Sequence, residues 1–91
     1  MSDRTVPRPF TMHWGGGQII EEASYQGQYH EPAIQLLKFD DGSTTIRFCY
    51  YSDGRFQRSP LMVSQNELPA MKAALKKTPK LRALLKKLVK E

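Results

Sequence analysis

The sequence predicts an α+β fold, a four-stranded antiparallel meander followed by C-terminal helices packed on one face of the sheet. Three observations predict it. Between Pro32 and Ser64, runs rich in Ile, Leu, Phe, Tyr, Thr and Val are separated by the turn triplets Asp40-Asp41-Gly42 and Ser52-Asp53-Gly54. Near the C-terminus, Leu81, Leu84, Leu85 and Leu88 fall at the i, i+3, i+4, i+7 spacing of an amphipathic helix. The strand-like segments all precede the helix-like ones, so the helices are free to cover one face of a sheet.

In chain order, residues 1–11 hold two prolines and two arginines without periodicity and read as a disordered tail; 12–91 reads as a single α+β domain. His13-Trp14-Gly15-Gly16-Gly17 lacks the Lys-Ser ending of a phosphate loop, so its glycines read as a hinge before the first strand. Trp14 either covers an edge of the core or stacks on a base. Gln18–Gln26 reads as a strand anchored by Ile20, although Glu21 and Glu22 also permit a helical turn, and Gly27–Pro32 reads as a loop. Three strands follow, at about Ala33–Phe39, Thr44–Tyr51 and Arg55–Val63, with Pro60 marking an edge or a bulge. Both triplets suit a type I turn closed by a left-handed glycine. A three-residue Asp40–Gly42 loop sets Phe39 opposite Ser43. Ile34, Leu36, Ile46, Phe48 and Tyr50 then share the face read as core, and Arg47, Cys49 and Tyr51 share the other. Ser64 or Asn66 starts a helix carrying Leu68, Met71, Ala74 and Leu75 to about Lys77. Thr78 and Pro79 then cap and open a basic amphipathic helix.

The chain of 91 residues has a net charge of +5, and that charge is unevenly placed. Up to Met71 there are six basic and eight acidic residues, a net of −2; from Lys72 on there are eight basic residues and one acid, a net of +7. Such a tail suits nucleic acid, an anionic membrane surface or an acidic protein, and equally a solvated lysine face. No apolar run approaches the roughly 18 residues of a membrane span, and the N-terminus has no apolar stretch of signal-peptide kind. One cysteine, Cys49, fits a reducing compartment, so a cytoplasmic location is expected.

The sequence carries no signature of catalysis. His13 and His30 have no metal-ligand spacing to Cys49, and Asp40, Asp41 and Asp53 serve turn geometry. No enzyme activity, metal, cofactor or small-molecule substrate is expected. Binding signals are stronger. Aromatic and basic residues interleave along Phe39, Arg47, Tyr50, Tyr51, Arg55, Phe56 and Arg58, the mixture with which proteins stack unpaired bases and follow their phosphates. Strands are also rich in aromatics for structural reasons alone.

The segments KFDDGSTTIRFCYY and GRFQRSPLMVSQNELPAMKAAL, together about Ala33 to Leu75, resemble the positive-cofactor-four family of transcriptional coactivators. The resemblance implies a four-stranded curved sheet, a helix-mediated homodimer and single-strand nucleic-acid binding on the concave side. It places Phe39 and Ser43, with Cys49 and Tyr51, at the family's contact positions. Asp40 and Asp41 stand where that family is rich in lysine, Cys49 stands where it has a basic residue, and the helix from Pro79 is additional. The expected interface is Phe39, Ser43, Arg47, Tyr51, Arg55 and Arg58 on the sheet, with Lys76, Lys77, Lys80, Lys86 and Lys87 supplying phosphate contacts. The expected homodimer interface is Leu68, Met71, Leu75, Leu81, Leu84, Leu85 and Leu88. The alternative function is a protein–protein adaptor docking through the leucine stripe of the last helix.

Overall fold

The computed structural model describes residues 5–57 and 61–90. Its sheet is antiparallel and six-stranded, curled into a half-barrel, rather than four-stranded. The strands are β1 (Arg8–Met12), β2 (Gly15–Ser24), β3 (Glu31–Phe39), β4 (Thr44–Ser52), β5 (Arg55–Phe56) and β6 (Leu61–Ser64). The order β1-β2-β3-β4-β5 is a meander, and β6 also pairs with β4. A 3-10 turn at Gln65–Glu67 leads to the helices α1 (Leu68–Leu75) and α2 (Pro79–Val89).

Three departures lie at the start. Residues 8–11 belong to β1 instead of a disordered tail, and Gly15–Gly17 belong to β2 instead of a hinge. Pro9 is tolerated because β1 is an edge strand, where a missing N–H breaks no inner ladder. Gly17 is required by close approach: a Cβ there would stand 2.1 Å from the Lys38 carbonyl oxygen. The third departure is Ile20, which is no inner anchor. The β2–β3 register shifts between Ile19 and Glu21, so Ile20 is an extra residue that bends the strand.

The first predicted hairpin is present. Phe39 N–H donates to Ser43 O at 2.8 Å and Gly42 N–H to Phe39 O at 2.9 Å, with Gly42 left-handed at φ 92°. The second differs. Ser52 pairs with Arg55, and Asp53 and Gly54 have φ of 55° and 77°, which is a two-residue type I′ loop. The single strand expected over Arg55–Val63 is divided into β5 and β6, and Pro60 lies outside the described residues.

The largest correction concerns the faces. The cross-strand pairs are as expected, but the buried side chains are the odd-numbered ones: Ala33, Gln35, Leu37, Thr45, Arg47 and Tyr51 line the inside of the curl. Leu37 packs there with Ile19 and Phe10, flanked by Met12, Phe39 and Met62. Leu36, Phe48 and Tyr50, read as core, lie exposed on the outer face, with Ile34 and Ile46 only half-buried. β1 supplies the reason: Arg8, Phe10 and Met12 pair with β2 so as to close over the odd face. The helices do not cover the even one. Neither has a buried residue, and α1 borders the sheet at Leu68, beside Leu36 and Ile46, so the helices do not lie packed across the sheet as expected.

Candidate nucleic-acid interface

Alternation along the strands brings Arg8, Glu22, Gln35, Arg47 and Tyr51 together inside the half-barrel. Arg8 grips Glu22 with both nitrogens, Nη1 to Oε1 at 3.0 Å and Nη2 to Oε2 at 3.2 Å. Arg8 Nη2 also donates to the Tyr51 hydroxyl at 3.2 Å. Gln35 Nε2 donates to Glu22 Oε2 at 2.7 Å and to the Tyr51 hydroxyl at 3.1 Å. Arg47 Nε donates to Gln35 Oε1 at 2.6 Å. Partial burial of Arg8 disfavours its charge, but Glu22 and Tyr51 outweigh that and raise its pKa above the ordinary value. This network explains how Arg8, Glu22, Gln35 and Tyr51 come to occupy the inner face: each side chain is hydrogen-bonded to another.

A row of rings adjoins the network. Trp14 stacks on Phe39 with centroids 5.4 Å apart and planes at 26°. Phe39 meets Phe10 edge-on at 5.2 Å. The Arg47 guanidinium carbon lies 5.5 Å from the Phe10 centroid and 4.7 Å from that of Phe56. Phe56 meets Tyr51 edge-on at 5.7 Å. From Trp14 to Phe56 the contacts are unbroken, and both ends are open: Trp14 is 60% exposed and Phe56 41%. Arg47, in the middle, is 6% exposed. Among the described residues it has no ion-pair partner, so the cation is held by ring faces and one amide oxygen.

The expected sheet residues are therefore partly gathered and partly re-cast. Phe39 and Arg47 lie in the row, but Arg47 is buried rather than outward. Tyr51, expected to offer a free ring face, is 6% exposed with its hydroxyl tied into the network. Ser43 sits at the β3–β4 loop and donates its hydroxyl and its N–H to Asp41 Oδ1, at 2.6 and 2.9 Å. Those bonds hold Asp41 below its ordinary carboxylate pKa, the hydroxyl contributing most. Arg55 is exposed on the type I′ hairpin, and Arg58 lies outside the described residues. Lys76, Lys77, Lys80, Lys86 and Lys87 are all exposed, on α2 and on the segment before it. Cys49 is half-buried on β4.

Phe10 is the member that the sequence does not single out, whereas Trp14 is one that it leaves between covering an edge of the core and stacking on a base. The signal for Phe10 is the alternation Arg8, Phe10, Met12, masked by Pro7 and Pro9. Trp14 borders an open cleft of about 470 Å³ lined also by Gly15, Gly16, Phe39, Asp40, Asp41 and Ser43. Among the described residues no cluster of His, Cys, Asp and Glu could hold a metal ion, and no helix is long and apolar enough to cross a membrane. In comparisons with known proteins, no family model, no curated protein and no solved structure matches this chain.

Proposed function

We propose that the chain is a small, non-enzymatic single-strand nucleic-acid-binding protein acting as a homodimer, with the ring row of the curled sheet as its base-stacking surface. The observation that carries this reading is the row itself: two exposed aromatic ends, Trp14 and Phe56, joined through Phe39, Phe10 and the buried cation Arg47. Unpaired bases stack on open ring faces, and cations follow the phosphates between them. The exposed lysines of the C-terminal twenty residues supply a second, sequence-blind attraction. The reading agrees with the single-strand-binding family that the sequence resembles, but it moves the stacking role from Tyr51 to Trp14.

Trp14 is the chain's single tryptophan, so its fluorescence reports the site directly. Titration with short single-stranded DNA and RNA should quench it, and duplex of equal length should quench it far less. Trp14→Leu should weaken binding of labelled single strands by about 1–3 kcal/mol, the usual worth of one stacked base. Unchanged fluorescence and no retention of labelled strands at low salt would remove the reading. The adaptor reading would then take its place, favoured by the exposure of Leu81, Leu84, Leu85 and Leu88 along α2.

A further inference from the structure

At the Trp14 end of the ring row an open ring face meets two carboxylates. The cleft of about 470 Å³ there is lined by Trp14, Phe39, Asp40, Asp41, Ser43 and Thr45 among others, and Gly15 and Gly16 add no side chain to it. Phe39 stacks against one face of the indole, and with Trp14 60% exposed the other face stays open. Turn geometry accounts for only one of the two carboxylates. Asp41 Oδ1 accepts from the Ser43 N–H and hydroxyl, which closes the β3–β4 loop. Asp40 does no such work. Its N–H donates to Gly16 O at 3.0 Å, which ties it beside Trp14, while its carboxylate has no hydrogen-bond partner among the described residues. Thr45 is a second and independent sign. It is 6% exposed and lines the same cleft, and its hydroxyl has no hydrogen-bond partner among the described residues. A buried hydroxyl left so calls for a partner from outside the chain.

We propose that this cleft selects guanine among the bases of a bound single strand. The base stacks on Trp14, Asp40 accepts from its N1–H and its N2 amino group, and Thr45 donates to O6. This rests on the nucleic-acid reading above and names the base that reading leaves open. The donor pattern singles out guanine. Along its Watson–Crick edge guanine presents one acceptor and then two adjacent donors, and two such donors match the two oxygens of one carboxylate, which only accepts. Adenine and cytosine each set a ring-nitrogen acceptor beside their one amino group, and thymine has a single N–H between two carbonyls. Those acceptors would face carboxylate lone pairs, so the cleft works against the other bases as well as for guanine. That edge is open only in an unpaired base, which is why the selection belongs to single strands. Charge divides the strand in the same sense. The cleft is lined by two carboxylates and no basic residue, so it turns phosphates away and leaves them to the C-terminal lysines.

The test uses the full chain and short labelled thymine strands that are identical but for one central base: guanine, hypoxanthine, adenine, cytosine or thymine. A single guanine keeps the strand from folding on itself. The guanine strand should bind about tenfold more tightly than the all-thymine strand, the lower range for a bidentate base contact. Hypoxanthine, which is guanine without the N2 amino group, should lose most of that gain. Asp40→Asn should bring the guanine strand down to the level of the thymine strand, and Thr45→Val should do so in part, with circular dichroism checking that each variant is folded. Asp40 is exposed, so its variant decides the matter even where Thr45→Val unfolds. Equal affinity for all five strands would overturn the guanine assignment and leave single-strand binding standing, whereas no binding of any strand at low salt would remove both. A guanine preference that survives Asp40→Asn would overturn the role given to Asp40. Guanosine monophosphate that quenches Trp14 at the same concentrations as the guanine strand would overturn the proposal in favour of a free nucleotide.

Discussion

At the scale of single residues, close approach and hydrogen bonding decide most. Gly17→Ala must push Cβ into the Lys38 carbonyl and the Phe39 Cα, both of them backbone and unable to swing aside. The expected cost is about 3 kcal/mol, measured by urea denaturation. Gly15→Ala is the matched control, since a Cβ there meets nothing within 4 Å. Asp41 gives a pH dependence of definite sign. Its pKa is lowered on folding by the Ser43 hydroxyl and N–H, so its contribution is complete above the ordinary carboxylate range. That contribution is lost as pH falls through the lower folded value. Wild type should therefore exceed Asp41→Asn in Tm at neutral pH, and the gap should close on acidification; a gap constant with pH would refute the assignment. Tyr51→Ala, which on sequence grounds would remove only a stacking face, now removes a buried hydroxyl from Arg8 and Gln35 and should lower stability first.

At the scale of elements, what the sequence makes legible is local, and what it hides is long-range. The Phe39–Ser43 hairpin, the β3–β4 register and the helix opening at Pro79 follow from turn residues and spacing, which act within a few positions. Even there the hydroxyl of Thr78 donates back to Leu75 O at 3.1 Å instead of capping α2. The buried face is not legible from β3 and β4 alone, because both of their faces hold apolar groups. The choice is made by β1, twenty or more residues away, whose Arg8 pairs Glu22 and whose Phe10 closes on Leu37. For the same reason the site is half legible: Phe39, Arg47, Phe56 and Trp14 are noticed from sequence, whereas Phe10 enters the row only because β1 brings it against Phe39 and Arg47. The β4–β5 turn offers a direct check. Its left-handed Asp53 makes Asp53→Val cost about 1–2 kcal/mol, while Asp53→Asn should hold or raise stability; thermal melts of the two variants read the difference.

At the scale of the whole molecule, charge and curvature divide the work between the two ends of the chain. Lys86→Gln with Lys87→Gln spares the leucine stripe. It should flatten the dependence of single-strand affinity on salt by about 0.7 in log–log slope for each lysine engaged. On the proposed function the preference for single strands over duplex should survive, because that reading assigns it to Trp14 and Phe56; titrations at two or more salt concentrations separate the slope from the preference. The curvature has a different origin. Glu21 pairs with Leu36 and Ile19 with Leu37, so Ile20 stands outside an otherwise regular ladder. Removing it by deletion would leave every remaining pair and every inward side chain where it is, while taking away the bend. For this chain a one-codon deletion is thus a gentler lesion to the hydrogen-bond ladder than many substitutions, yet it acts on shape alone. Among descendants differing in length by that one residue, the sheet could open from a trough towards a plank, carrying the same side chains on a surface that no longer curls around whatever lies in it.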